Sequence, residues 1–135
     1  MAEYLKPLPE PNKLSKTYWE ACKEKRLVIQ HCRECGAYIF YPRALCPGCM
    51  SSDLEWKEVS GKGTVYSFSV VHRPLGKPFA DDVPYTVAIV ELAEGPRMMS
   101  NLKDVDPQKV RVGMPVQVSF EEVTEEITLP KFVPA

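Results

Sequence analysis

The chain has 135 residues, 44% hydrophobic and 26% charged, which suits one soluble domain or two small ones. Its net charge of −1 is unevenly spread, +3 over residues 1–50 and −4 over 51–135, and this argues against nucleic acid as a partner, because phosphate contacts need a basic surface. No run approaches the roughly 18 apolar residues of a membrane span, and MAEYLKPLPEP lacks the basic and apolar regions of a signal peptide, so a cytoplasmic address without membrane or structural disulfides is expected.

Residues 3–12 form a proline-rich arm with Pro7, Pro9 and Pro11. Such spacing favours extended structure over helix, either as a loose terminus or as an arm lying on a partner. One short helix is predicted over residues 15–26. Thr17 and Glu20 fit a capping box, and Ser15 is an alternative cap. Leu14, Tyr18, Ala21 and Cys22 fall at helical spacing on one apolar stripe, with Trp19 beside it. The stripe fits packing on the protein's own body or docking on another subunit.

Residues 27–50 alternate short β-like runs, LVIQHC and AYIFYP, with cysteine pairs, the pattern of a small ribbon. Residues 54–135 read as all-β. LEWKEV is a strand, and Gly61-Lys62-Gly63 marks a turn or bulge. In TVYSFSVVH strict alternation puts Tyr66, Phe68 and Val70 on one face and Val65, Ser67, Ser69 and Val71 on the other. PYTVAIVEL, RMMSNL and PVQVSFEEV complete the set, with a polar connection over residues 104–113. About five strands in such a length predict a small closed barrel.

Four of the five cysteines are arranged as Cys32-x2-Cys35-x10-Cys46-x2-Cys49. Two such knuckles bring four thiolates to one tetrahedral point. Gly36 suits the first turn. A redox pair needs only one C-x-x-C on a βαβ scaffold, which is missing here. Zinc is the natural ion. Iron is the rival, because the pattern also fits rubredoxin, although there the second knuckle ends in glycine and here Cys49 is followed by Met50. Four protein ligands leave no open position, so the site is structural.

The remaining candidates are weaker. Cys22 reads as a buried, inert thiol, His31 as a spacer, His72 as a structural residue, and Glu121, Glu122, Glu125 and Glu126 as a solvated face. No Ser-His-Asp order, phosphate loop or HExxH motif is present. The loop over residues 73–84, RPLGKPFADDVP, holds three prolines and sets Phe79 between Lys77 and Asp81. It reads as a partner contact or as an ordinary long loop.

Taken together, TYWEACKEKRLVIQHCRECG, YPRALCPGC, LEWKEVSGKGTVYSFSVVHRP, VPYTVAIVEL, GMPVQVSFEEV and TLPKFVPA resemble the DUF35 family over residues 14–135. The resemblance implies a mostly β protein with an N-terminal helix, a rubredoxin-like zinc ribbon and a C-terminal OB-fold barrel. The expected divisions are residues 1–26, 27–53 and 54–135. It also implies one structural zinc on Cys32, Cys35, Cys46 and Cys49, with no catalytic residue carried over. Members resemble one another as non-catalytic partners of acyl-CoA enzymes. These include thiolases, such as the benzoylsuccinyl-CoA thiolase, thiolase–synthase pairs in archaea, and lyases of CoA-linked steroid side chains.

The expectation is therefore an accessory subunit of a thiolase-type complex, inactive alone, with two copies of each chain and acyl-CoA near the interface. A retro-aldolase partner and a nucleic-acid-binding OB module are the alternatives; in the latter, Tyr66 and Phe68 would stack on bases. Tyr4, Leu5, Leu8, Trp19, Phe79, Phe132 and Val133 are the expected apolar anchors. The proline-containing ends, residues 3–12 and 128–135, are expected to lie across the partner.

Overall fold

The protein is described as a computed structural model covering residue 4 and residues 6–135. Glu3 and Leu5 of the expected arm lie outside the described residues.

Helix α1 spans Lys16–Lys23. It buries Tyr18, Ala21 and Cys22, as the stripe requires, but Leu14 precedes it and is exposed. The Thr17 capping box does not form, because Thr17 already lies within the helix. Ser15 is the N-cap residue, and its hydroxyl and amide are engaged by Asn12: the Ser15 amide donates to Asn12 Oδ1 at 2.9 Å, and the Asn12 amide donates to Ser15 Oγ at 3.1 Å.

Strands β1 (Val28–Cys32), β2 (Tyr38–Ile39) and β3 (Leu54–Glu58) make an antiparallel sheet in the order β2-β1-β3. LEWKEV therefore belongs to the ribbon and not to the barrel. Every residue of β3 pairs with β1, from Val28–Glu58 to Cys32–Leu54. The ribbon sheet continues to Val59, whose amide bonds the Leu27 carbonyl at 2.9 Å.

The barrel consists of β4 (Lys62–Val71), β5 (Tyr85–Leu92), β6 (Arg97–Leu102), β7 (Pro115–Glu122) and β8 (Thr128–Pro134). It closes in the order β4-β5-β6-β8-β7, with β7 against β4. The five-strand expectation holds in number but not in membership: β3 leaves and β8 enters. In β5 the alternation is regular, with Thr86, Ala88, Val90 and Leu92 buried. In β4 it breaks, because a bulge between Val65 and Ser67 reverses the facing of later residues. Val65 is buried, Tyr66 is exposed, and Phe68 packs on the core.

Strand β8 corrects the reading of residues 128–135 as a partner-seeking arm. Phe132 is fully buried in the barrel, and Val133 is half-buried in a strand that pairs with β7 along its length. The two prolines fit because of their register. The Ala135 amide bonds Pro115 on β7, and the Lys103 amide bonds Phe132 from the β6 side. The even-numbered residues of β8, Pro130 and Pro134 among them, thus turn their backbone away from β7, where a missing N–H costs that ladder nothing.

A continuous core joins the parts. Tyr18, Cys22, Leu27 and Ile29 pack with Val65, Val90, Met98, Val116 and Phe132. The ribbon tip keeps only a small cluster of its own, made of Cys32, Ile39 and Cys46 with Leu54 against it.

Candidate metal centre

Each knuckle is fixed by the same backbone pattern. The Cys32 amide donates to Ala37 O and the Gly36 amide to Cys32 O, at 2.8 and 2.9 Å. In the second knuckle the Cys46 amide donates to Ser51 O and the Met50 amide to Cys46 O, both at 2.8 Å. Gly36 (φ +80°) and Met50 (φ +64°) occupy equivalent left-handed positions. The second knuckle therefore makes the glycine turn without a glycine, at a residue exposed enough to tolerate it.

The four sulfurs lie within 4.8 Å of one another, with Cys32–Cys49 and Cys35–Cys46 both at 3.6 Å. Tetrahedral zinc with bonds near 2.3 Å requires sulfur–sulfur spacings of about 3.8 Å, so the residues fit the ion. Amides support the thiolates: Cys35 N–H points at Cys32 Sγ (3.5 Å) and Gly48 N–H at Cys46 Sγ (3.4 Å). The Cys35 amide brings the Cys32 thiol down to about 7. The donor set is complete with four protein sulfurs, as in a structural site.

Surrounding residues hold the knuckles on the sheet. His31 is not among the four ligands: its Nδ1 meets Glu55 Oε2 at 2.7 Å. Arg33 donates to Asp53 at 3.0 Å. The buried Gln30 grips the loop between the knuckles through the Arg43 backbone. Cys22 is fully buried, and burial pushes its thiol up to about 12, so it is an inert core residue, as expected.

The expected partner anchors separate. Leu8 is exposed. Tyr4 is half-buried, with Lys6 Nζ 5.6 Å from its ring. Lys6 also sits 5.9 Å from the Phe79 ring and pairs with Asp82, so this part of the arm lies on its own barrel. Phe79 is not the exposed tip of its loop: it is half-buried near Tyr85, with ring centres 6.2 Å apart, while Leu75 is 81% exposed. Trp19 is half-buried, edge-on to Tyr18 at 4.9 Å. Glu121 departs from the solvated face expected of it: half-buried, it accepts Lys103 and Lys131, at 3.5 and 3.2 Å. Tyr41 and Met99, both more than half exposed, belong to no motif that marks them in the sequence. Alternation along RMMSNL gives the outward facing of Met99; nothing in the sequence places Tyr41 beside it.

The fold and the site define a protein that joins a thiolate metal ribbon to an OB barrel, with four sulfurs placed to enclose one metal ion. Residues 19–55 match the ChsH2 rubredoxin-like zinc ribbon domain and residues 56–121 the ChsH2 C-terminal OB-fold domain. The chain is 38% identical to a DUF35 domain-containing scaffold protein of Methanocaldococcus jannaschii, over 80% of this chain and 77% of that one. The chain belongs to the DUF35 family. A solved structure, the Ltp2-ChsH2(DUF35) aldolase, is similar over 94% of this chain and 98% of the matched chain, at 42% identity and a TM-score of 0.84. A probable enoyl-CoA hydratase alpha subunit of Thermomonospora curvata is 43% identical over 97% of this chain, which spans 40% of that relative's length.

Proposed function

We propose that the chain is a non-catalytic, zinc-stapled accessory subunit of an acyl-CoA-processing enzyme. The observation that carries this reading is the commitment of every cysteine. Four are directed at one closed metal point, and the fifth is buried with its thiol raised. A thiolase or related acyl-transfer enzyme needs a reactive nucleophile beside a base, so the chemistry is supplied by a second chain.

An acyl-CoA lyase of the aldolase class is the first choice of partner, supported by the near full-length likeness to the DUF35 chain of an aldolase. A thiolase-type partner is the second, supported by the family resemblance alone. In either case we expect two copies of each chain, with acyl-CoA near the interface. Free thiolate ligands suit a reducing, cytoplasmic compartment. Among the described residues no helix is long and apolar enough to cross a membrane. A nucleic-acid role is disfavoured by the bulge in β4, which puts Tyr66 outside, under Arg97 at 3.7 Å, and turns Phe68 to the core.

The test is purification of the tagged full chain from its native host, with mass spectrometry of what accompanies it. An aldolase- or thiolase-type acyl-CoA enzyme in stoichiometric amount supports the reading. A chain that purifies alone, or with nucleic acid, contradicts it.

A further inference from the structure

Strands β6 and β8 pair at one position only, Leu102 with Phe132. The next step of that parallel ladder would need an N–H from Pro130, which has none. The regular pairing ends there, the Ser100 hydroxyl donating to the Pro130 carbonyl at 2.9 Å, and a groove of about 350 Å³ lies alongside, walled by Trp19, Tyr41, Met99, Leu129 and Pro130. Tyr41 is 52% and Met99 57% exposed. Aromatic residues and methionine are the types enriched where proteins bind proteins.

One end of the groove is charged. Lys131 lines both this groove and the neighbouring cavity that holds Lys103 and Glu121. Lys103 and Lys131 both reach the single Glu121 carboxylate, at 3.5 and 3.2 Å. The other ionic groups there, Lys6 and Asp82, neutralise each other. Among the described residues, one positive charge is left unbalanced at a site where Lys131 is only 17% exposed.

We propose that this groove receives an extended segment of the partner enzyme, with apolar side chains against Trp19, Tyr41 and Met99 and one carboxylate on Lys131. The proposal rests on the accessory-subunit reading. The charge balance selects the occupant: among the described residues Lys103, Lys131 and Glu121 sum to one positive charge, which a single carboxylate matches, whereas a phosphate, near −2, would exceed it.

The test uses the full chain and the acyl-CoA enzyme that co-purifies with it. Met99→Asp is expected to weaken the complex at least tenfold, and Val112→Asp, at an exposed position outside the groove, to leave it unchanged. Lys131→Gln is expected to weaken it about tenfold and to remove most of the salt dependence between about 50 and 500 mM. A photo-crosslinker at Met99, which needs no disruptive change, is expected to capture a partner peptide containing Asp or Glu. If Met99→Asp binds as tightly as the parent, or if the crosslink forms from position 112 and not from 99, the groove proposal falls while the accessory reading stands. Met99→Asp abolishing self-association without affecting the partner assigns the groove to a second copy of this chain and also overturns it. If the parent binds no acyl-CoA enzyme, both fall.

Discussion

Gln30 holds Arg43 by both backbone groups: its Nε2 donates to the Arg43 carbonyl at 2.8 Å, and its Oε1 accepts the Arg43 amide at 2.6 Å. Gln30 is buried in β1, and Arg43 lies in the loop that carries the second knuckle toward the first. Replacing Gln30 with Leu leaves the Arg43 groups without partners, which costs about 2–4 kcal/mol for two part-buried bonds. The expected outcome is a lower unfolding midpoint and faster zinc loss to a chelator, measured together. An unchanged rate of metal loss would show that the loop needs no clamp.

The ribbon tip has too small a core to fold without its ion. Ile39 and two of the cysteines are its buried apolar groups, with Leu54 alongside. Structural zinc supplies on the order of 10 kcal/mol to such folds. Changing Cys32, Cys35, Cys46 or Cys49 to Ser is expected to release the metal and unfold the ribbon tip around the two knuckles, as read by elemental analysis and amide exchange. One zinc per parent chain is expected; iron in the purified protein would contradict the assignment.

Gly61 sits at φ +76°, and a Cβ there would come within 2.3 Å of Val118 Cγ1. Gly61→Ala meets both strain and overlap, so a loss of about 2–4 kcal/mol is expected. Thermal unfolding measures it. Gly95→Ala, with positive φ but open space, should lose less.

Burial pushes the Glu121 carboxyl up, but Lys131 and Lys103 outweigh it and hold the group below the ordinary carboxylate range. A depressed carboxylate stabilises the fold above its unfolded value, near 4.3, and this contribution is lost as pH falls through the folded value. Acid unfolding should therefore show a decrement below about pH 4.3 that Glu121→Gln removes. An identical acid limb in parent and variant would contradict the pairing.

The cysteine spacing made the metal centre legible, because the ligands are local in sequence and the knuckle geometry travels with them. β5 was legible for a similar reason: Thr86, Ala88, Val90 and Leu92 keep strict alternation. What failed was non-local. Nothing in LEWKEV says that its partner is Val28–Cys32 across the whole ribbon. Pro130 and Pro134 made residues 128–135 read as an arm, because alternation cannot reveal which edge of a strand does without its donors. The Val65–Ser67 bulge reversed a correct strand part-way along, and with it the facing of Tyr66 relative to Phe68.

The most direct test of the accessory-subunit account is reconstitution. The chain and its co-purifying acyl-CoA enzyme are prepared separately, then assayed alone and mixed, with size exclusion on the same samples. The account predicts no acyl-CoA lyase or thiolase activity from this chain, impaired activity from the large subunit alone, and full activity with co-elution on mixing. Independent elution with full activity from the large subunit alone, or turnover by this chain alone, would contradict it.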